Sequence, residues 1–343
     1  MENNLKGKKI ALIGGAGFIG HNLALKLKEL GGETHVIDGL QVNNLGAFTS
    51  DMGGDSNARL YIELIYERLD LLRRSEIPLH ILDARDYFLL GSHLGKLKPD
   101  VVIHLAAIAH ANRANKDPYS TFDHSMRTLE NALDSVRGHK PHFIYFSSSM
   151  VYGDFDGEAV TEDRHCNPKG IYGSLKYSGE KLLQAYHQVF NLPYTIIRPS
   201  ALYGERCVSR RVGQAFIENA ISGKSLTLNG DGTDSLDFTY IDDLVQGVVL
   251  CVAREAALNQ TFNLTFGNAR SLTELAELVL GEFKGVNLEL RPRDALMPER
   301  GTLSVEKARR LLGYEPKYPL ELGFKKYIAW YKGVAQAKPQ LFG

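Results

Sequence analysis

The feature that most constrains the fold is a glycine-rich turn between an apolar strand and a helix. The apolar run Lys9–Ile13 predicts a short buried strand, and GGAGFIG at 14–20 follows it directly. A helix is predicted over 18–30, because apolar residues repeat every four positions from Ile19 to Leu27. Glycine permits the tight turn and lets the helix pack closely on the strand. This part of the chain therefore predicts the first strand-turn-helix unit of an α/β sheet.

The alternation of apolar strands and helical stretches continues through the first 150 residues. Further strands are predicted at 34–38, 79–82, 101–105 and 142–147. Near-continuous apolar strands separated by helices indicate a parallel sheet that is covered on both faces. We therefore predict an α/β protein with a doubly wound parallel sheet.

The connection between the second and third predicted strands, residues 45–78, is unusually long. Its first part, GAFTSDMGGDSN, is turn-rich. Its second part, ARLYIELIYERLDLLRR, predicts a helix with Leu60, Leu64 and Leu72 on one stripe. This insertion is either an additional surface helix, a flap over the site or a contact between subunits.

Composition excludes several classes of function. The chain carries 40 Lys and Arg residues against 40 Asp and Glu, so its formal net charge of zero gives no reason to expect nucleic acid or an anionic membrane as partner. No apolar run reaches the roughly 18 to 20 residues that span a bilayer, and MENNLKGKKIALIGG lacks the pattern of a secretory signal. Cys166, Cys207 and Cys251 have no metal-like spacing, so neither disulfides nor a metal site are expected. We expect a cytoplasmic protein.

The glycine turn is also a phosphate-binding signal. It parses as GxGxxG from Gly15 or as GxxGxxG from Gly14, Gly17 and Gly20. The N-terminus of the next helix offers free N–H groups to a pyrophosphate. Asp38 ends the second predicted strand, where a carboxylate accepts hydrogen bonds from the adenosine ribose. Because a carboxylate repels a 2′-phosphate and DGLQVNN contains no arginine, NAD is favoured over NADP.

Two later segments carry groups suited to oxidising an alcohol. YGSLK places Tyr172 and Lys176 on one face of a predicted helix. A free tyrosine has a pKa of about 10, and a neighbouring ammonium lowers it. Such a tyrosine can take a proton from a substrate hydroxyl while hydride leaves the same carbon. FSSSMVYG at 146–153 ends a strand at the edge of the sheet where ligands bind, and its serines can donate a hydrogen bond to the reacting oxygen.

Taken in order, these segments resemble a known family. GGAGFIG, the acid after the second strand, LDARD, HLAA, FSSSMVYG and YGSLK follow the order of the extended short-chain dehydrogenase/reductases. The resemblance is to their NAD-dependent epimerase/dehydratase branch, typified by UDP-galactose 4-epimerase. RPSALYG at 198–204 and GDGTDSLDFTYIDDL at 230–244 extend it over roughly residues 8–335.

The resemblance implies roles for individual residues. Ser148, four residues before the motif Tyr152, would be the catalytic serine beside Tyr172 and Lys176. Lys176 would also bind the nicotinamide ribose, and Pro199 would lie by the nicotinamide. The implied NAD contacts are Gly14, Gly17, Phe18, Ile19, Gly20, Asp38, Asp83, Ala84, Leu105, Ala106, Ala107, Tyr172, Lys176 and Pro199.

The resemblance also implies how the chain is divided. Residues 1–198 would form a Rossmann domain that binds NAD and carries the insertion at about 45–78. Residues 199–335 would mainly form a smaller mixed α/β substrate-binding domain, with some chain returning to the Rossmann domain. Residues 336–343 are expected to be a loose tail. The protein would be a homodimer that acts on a small molecule, a nucleotide sugar.

Two departures from the family pattern concern the reaction. The family's dehydratases carry an acid two residues before the motif tyrosine, where this chain has Met150, preceded by Ser149. This predicts that the protein has no 4,6-dehydratase activity. The asparagine usual in the helix after the fourth strand is replaced by His124 or Ser125.

Two further departures concern the substrate. Ala201 and Leu236 stand where the family has an asparagine and an arginine that contact the nucleotide-sugar diphosphate. Other guanidinium groups are candidates to replace them, since guanidinium suits phosphate or carboxylate. The candidate substrate residues are Ser149, Arg206, Arg210, Arg211, Arg293 and Arg300, and the first three of these arginines, which follow RPSALYG, are the leading candidates.

Three functions remain open at this point. The first is a nucleotide-sugar epimerase that oxidises a sugar hydroxyl transiently with bound NAD. The second is a net dehydrogenase or reductase of a sugar or related alcohol. The third is a non-catalytic NAD-binding subunit, which the intact set of Ser148, Tyr172 and Lys176 disfavours.

Overall fold

The computed structural model describes residues 5–49, 57–109, 111–293 and 297–342. Within these residues the strands are β1 Lys9–Ile13, β2 Glu33–Asp38, β3 Leu79–Ile81, β4 Val101–His104, β5 His142–Phe146, β6 Tyr194–Arg198, β7 Leu202–Tyr203, β8 Leu226–Asn229, β9 Ser235–Leu236, β10 Thr239–Tyr240, β11 Gln260–Asn263, β12 Arg270–Ser271 and β13 Leu288–Arg291.

Helices lie between most of these strands. They are α1 Phe18–Glu29, α2 Leu45–Thr49, α3 Ala58–Arg74, α4 Tyr87–Leu97, α5 Ala111–Lys116, α6 Pro118–Phe122, α7 Thr128–Val136, α8 Gly170–Phe190, α9 Val212–Ile221, α10 Ile241–Ala253, α11 Leu272–Glu282, α12 Glu306–Leu312 and α13 Leu320–Ala337. A π-helical turn, Asp123–Arg127, joins α6 to α7, and short 3₁₀ turns lie at Ser149–Tyr152, Glu255–Ala257 and Pro339–Leu341.

The central sheet has seven parallel strands in the order β11-β6-β5-β4-β1-β2-β3. Strand β1 lies between β2 and β4, so the strand order reverses at this point and leaves a crevice beyond the carboxyl ends. The predicted Rossmann-type α/β fold is confirmed, and several predicted elements end one residue too late. The reversal places the glycine turn after β1 and HLAA after β4 at one crevice.

The C-terminal part is built from short strand pairs and helices. Strands β7 and β10, β8 and β13, and β9 and β12 form three two-stranded sheets. Strand β11 returns to the central sheet beside β6, and α10 packs on α1. One hydrophobic cluster runs through both parts, from Leu5 to Tyr331. The division of the chain at residue 198 therefore stays a prediction.

The insertion helix forms where it is predicted, over Ala58–Arg74. Its apolar stripe, which includes Leu60, Leu64 and Leu72, is buried, and the helix packs against α1 and α2. The helix is therefore not a simple addition to the surface, because one whole face belongs to the core. Residues 50–56 of the predicted turn-rich part lie outside the described residues.

The C-terminal residues are more ordered than expected. Helix α13 continues to Ala337, and Leu341 and Phe342 pack against the core. The Phe342 ring lies 6.3 Å from the ring of Tyr331, centre to centre. The expectation of a loose tail is corrected here, because these two apolar side chains bury surface against α13.

No helix within the described part of the chain has the length and apolar character to cross a membrane. The three cysteines are buried and unpaired. Among the described residues, no group of three or more His, Cys, Asp or Glu side chains is arranged to hold a metal ion.

Candidate active site

The glycine turn after β1 forms a cradle that only glycine fits. Gly14 has a φ of +80°, and a Cβ there would lie 2.7 Å from the backbone nitrogen of Ala106. A Cβ on Gly20 would lie 2.5 Å from the backbone of Gly15. Gly15 itself faces Leu12 and Val36, away from the crevice.

The cradle is therefore formed by the GxxGxxG parse of the turn. Gly14, Gly17 and Gly20 line the crevice, and Gly17 caps the N-terminus of α1. Free N–H groups at this helix end suit a pyrophosphate. The residues present therefore fit a dinucleotide.

The predicted cofactor residues are brought together in two adjoining cavities. The crevice beyond β1 and β4 is lined by Gly14, Gly17, Phe18, Ile19, Gly20, Asp38, Asp83, Ala84, Leu105, Ala106 and Ala107. The remaining three, Tyr172, Lys176 and Pro199, line the second cavity. Ile19, Leu105 and Ala107 line both, so the two cavities are continuous.

Two carboxylates lie at the far end of the crevice. The Asp38 carboxylate accepts hydrogen bonds from the backbone nitrogens of Ala16 (2.9 Å) and Leu40 (2.7 Å), and burial raises the pKa of Asp38. Burial also acts to raise the pKa of Asp83, but hydrogen bonds from Arg85 outweigh it and bring the pKa to about 2. Both groups are therefore held in fixed positions at the end of the crevice where the adenosine of a dinucleotide would lie.

The second cavity holds the three predicted reacting residues. Ser148 follows β5, and its Oγ accepts a hydrogen bond from the backbone nitrogen of Met150 at 3.2 Å. Tyr172 lies half-buried in the first turn of α8, and Lys176 is one turn further along the same helix. All three residues line one cavity of 430 Å³, a volume typical of small-molecule sites.

Lys176 is buried beneath this cavity. Its ammonium donates a hydrogen bond to the Phe146 carbonyl at 2.6 Å and lies 5.1 Å from the centre of the Tyr145 ring. Burial lowers the pKa of Lys176 to about 8, while the charge of Glu180 opposes this shift. The side chain is therefore fixed by its hydrogen bond to the Phe146 carbonyl, in the wall of the cavity that also holds Ser148 and Tyr172.

A buried network that sequence reasoning missed supports these elements from below. Arg198, at the end of β6, donates to Glu180 of α8 at 2.9 and 2.6 Å. The hydroxyl of Ser147 also donates to Glu180, and Arg198 donates to the Tyr152 hydroxyl at 2.9 Å. The network ties β5, β6 and α8 together. Its one sequence signal is Glu180, which stands one helical turn after Lys176.

The cavity also receives most of the predicted arginines. Arg210, Arg211, Arg293 and Arg300 line it, together with Ser149. Arg206 does not line the cavity, contrary to expectation. It donates to His21 Nε2 and to Glu67, both at 3.1 Å, on the far side of its loop.

The lining arginines differ in how they are held. Arg293 is paired with Asp234 at 2.9 Å, and Arg211 donates to the Ala109 carbonyl at 3.1 Å. The Nε of Arg300 is buried and finds no acceptor among the described residues. Burial lowers the pKa of Arg300 to about 10, with Arg211 adding to the shift. Arg300 is therefore a cation with unused donor capacity at the cavity wall.

The residues that depart from the family pattern also have places in these cavities. Met150, Ala201 and Leu236 line the second cavity, so its wall is apolar where the family has polar groups. His124 lines the cofactor crevice, whereas Ser125 is buried.

The fold and the two joined cavities define a dinucleotide-binding α/β enzyme. The model of the NAD dependent epimerase/dehydratase family matches residues 10–265. An uncharacterized UDP-glucose epimerase of Bacillus subtilis is 30% identical, over 96% of this chain and 100% of its own length. UDP-glucuronate 4-epimerase 2 of Arabidopsis thaliana is 28% identical, over 95% of this chain and 76% of its own.

Solved structures agree with these sequence matches. The crystal structure of UDP-glucuronic acid 4-epimerase from Bacillus cereus, in complex with UDP-glucuronic acid and NAD, superposes with a TM-score of 0.85. It is 27% identical, and the match covers 95% of this chain and 99% of that one. This chain belongs to the NAD dependent epimerase/dehydratase family, and its cofactor is NAD.

Proposed function

We propose that the protein is a nucleotide-sugar epimerase that oxidises a sugar hydroxyl transiently to a ketone. The observation that carries this proposal is the continuity of the glycine-lined crevice with a cavity that holds Ser148, Tyr172 and Lys176 and four arginines. Relatives whose names specify UDP-glucose or UDP-glucuronate epimerisation support the same substrate class.

The roles of the three residues follow from their chemistry. Bound NAD supplies reversible hydride exchange with a sugar carbon. Tyr172 takes the proton from the hydroxyl on that carbon, and Ser148 donates a hydrogen bond to the same oxygen. The Lys176 ammonium stabilises negative charge on Tyr172. The keto sugar then rotates in the cavity and presents its opposite face to the cofactor. Tyr172 returns the proton as the ketone is reduced on that face, so the configuration at this carbon is inverted without net oxidation.

Among the described residues, the side chains that line the cavity favour epimerisation over dehydration, because dehydration needs a free acid. Dehydration of a 4-keto sugar removes the proton from C5 and expels the hydroxyl from C6 as water. The hydroxyl needs an acid near it, and Met150 has no proton to give. Asp234 is the only carboxylate among the described residues that line this cavity, and it is paired with Arg293. We therefore propose that the protein forms no 4-keto-6-deoxy product.

The proposal is tested by purifying the protein and assaying it without added cofactor. UDP-glucose and UDP-glucuronic acid are each incubated with the protein, and NMR follows the sugar ring protons while extraction measures bound NAD. We expect NAD to copurify and one sugar to convert to its 4-epimer with no net change in cofactor oxidation state. A protein that consumes added NAD in proportion to oxidised product would instead be a net dehydrogenase.

We also infer that the protein forms a homodimer through α4 and α6. Exposed apolar side chains concentrate where these helices begin and end: Tyr87, Phe88, Leu89, Tyr119 and Phe122. Phe88 and Tyr119 are 82% and 86% exposed. Arg85, just before α4, pairs at 3.0 Å with Asp123, just after α6, so the two groups share one surface. An exposed aromatic surface of this size is typical of a contact between protein chains. We infer that the partner is a second copy of the chain, which carries the same surface.

Replacing Phe88 with Asp should shift the protein from dimer to monomer. The substitution places a charge in the centre of the proposed apolar interface, where it loses water without gaining a partner. Light scattering at several concentrations measures the mass. Leu322→Asp, at another exposed apolar position, is the matched control and should leave the mass unchanged. A wild-type protein that is monomeric at all concentrations would end the dimer proposal.

A further inference from the structure

The insertion helix α3 carries a charge where its pattern calls for an apolar residue. Its buried stripe contains Leu60, Leu64 and Leu72 at intervals of four and eight, and Arg68 occupies the remaining place. Arg68 is 0% exposed. Burying a guanidinium is costly unless it is hydrogen-bonded, so its partners indicate what the position is for.

Arg68 binds two carbonyl groups beside the cofactor crevice. Its Nε donates to the Arg206 carbonyl at 2.8 Å, and its Nη2 donates to the same oxygen. Its Nη1 lies 3.5 Å from the Asn43 carbonyl. Arg68 also lines the crevice together with Asp38. The helix therefore reaches both the crevice and a loop of the C-terminal part with one side chain.

Arg206, whose carbonyl accepts from Arg68, has two further partners. Arg206 has a φ of +62°, an uncommon conformation for a residue with a side chain. Its guanidinium donates to Glu67, which neighbours Arg68 on α3, and to His21 Nε2. His21 in turn donates from Nδ1 to the Gly17 carbonyl of the glycine turn at 2.9 Å. The Arg206 backbone is thus held by α3 and linked to the cofactor cradle.

The loop 205–211 forms part of the wall of both cavities. Val208 and Ser209 line the cofactor crevice, Cys207 and Arg210 line the substrate cavity, and Arg211 lines both. A displacement of this loop would open the crevice and move two cavity arginines together.

Helix α3 also supports the far end of this loop. Tyr61 and the preceding Asn57 donate to Glu218 of α9, both at 2.8 Å. Glu218 lies 3.9 Å from the Arg210 guanidinium. The insertion therefore contacts the wall directly at Arg206 and is linked to Arg210 through Glu218.

We propose that Arg68 is a positioning residue that keeps the 205–211 wall closed against NAD and so retains the cofactor throughout turnover. An epimerase must return hydride to the substrate it came from, so release of the cofactor between the two steps would leave an oxidised sugar. The proposed role of Arg68 rests on the proposed function only in one respect, namely that retained NAD lets the epimerisation finish. The retention of NAD itself is measurable with no sugar present.

The test compares Arg68→Met with Arg59→Met, which removes an exposed arginine from the same helix. Bound NAD per chain is measured after gel filtration, and the NAD dissociation constant is measured by calorimetry on protein stripped of cofactor. We expect Arg68→Met to raise the dissociation constant by about tenfold or more, as for a lost charged hydrogen bond, and Arg59→Met to match wild type. At saturating NAD, kcat should change by less than about threefold, whereas a merely structural defect would lower stability and leave the dissociation constant unchanged.

If Arg68→Met does not fold, a second variant tests the role of Arg68 in retaining NAD. Glu67→Gln breaks the half-exposed pair with Arg206 and leaves the buried guanidinium in place. It should weaken NAD binding severalfold, in the same direction. A folded Arg68→Met protein with wild-type NAD affinity overturns the proposal, and so does Glu67→Gln with unchanged affinity if Arg68→Met is unfolded. Weakened NAD binding in a protein that epimerises no nucleotide sugar would support this role and reject the proposed function.

Discussion

Replacing Tyr172 with Phe should lower the rate of epimerisation by about 10²- to 10⁴-fold, the usual loss when a general base is removed. The phenyl ring keeps the packing of the first turn of α8, so the fold and the NAD content should not change. The substitution leaves Lys176 and Ser148, which line the same cavity, unaltered in sequence. The loss should therefore appear in kcat and not in the affinity for the nucleotide sugar.

Tyr177→Phe is the matched control for this substitution. Tyr177 stands on the same helix but packs with the cluster around Val151 and Phe155. Its hydroxyl is absent from the cavity lining, so the control should retain wild-type turnover. Single-turnover rates with a saturating nucleotide sugar measure both variants. Near wild-type turnover in Tyr172→Phe would remove this tyrosine from the proposed mechanism.

The sequence predicted those features whose cause is local. Consecutive residues determine the apolar strand, the turn that excludes side chains and the helix with four-residue periodicity. Accordingly, β1, the turn and α1 form as predicted. Even for this unit, the choice between the two parses of the glycine turn required the three-dimensional structure. Only the packing of Gly15 against Leu12 and Val36 distinguishes the two parses of the turn.

The features that escaped prediction depend on residues far apart in the chain. Arg206 follows RPSALYG as expected, but its positive φ and its pairing with Glu67 turn it away from the cavity. The ion pair between Arg198 and Glu180 joins the end of a strand to a helix, and no periodicity in the sequence indicates that these two residues meet. Arg68 did leave a signal, because it interrupts an otherwise apolar stripe. A charge at a predicted core position therefore indicates a buried polar contact.

The second large effect concerns the anionic end of the substrate. Leu236 leaves the cavity without the family's usual arginine, and Arg293 is already paired with Asp234. Arg300 has a buried Nε with no acceptor among the described residues, and Arg211 lies near enough to affect its pKa. A diphosphate beside these two cations would give the Nε of Arg300 an acceptor.

Arg300→Met should therefore weaken the binding of a nucleoside diphosphate by about 10- to 150-fold, the equivalent of roughly 1.5 to 3 kcal/mol for a hydrogen bond to a charged group. Arg310→Met is the matched control, since Arg310 is exposed on α12 away from the cavity. Calorimetric titration of NAD-loaded protein with UDP, GDP, CDP and dTDP measures the affinities. If one of them binds and Arg300→Met binds it as tightly as wild type, another group holds the diphosphate. If none binds at millimolar concentration, the substrate is not a nucleotide sugar, and a smaller sugar or polyol becomes the better candidate for the cavity.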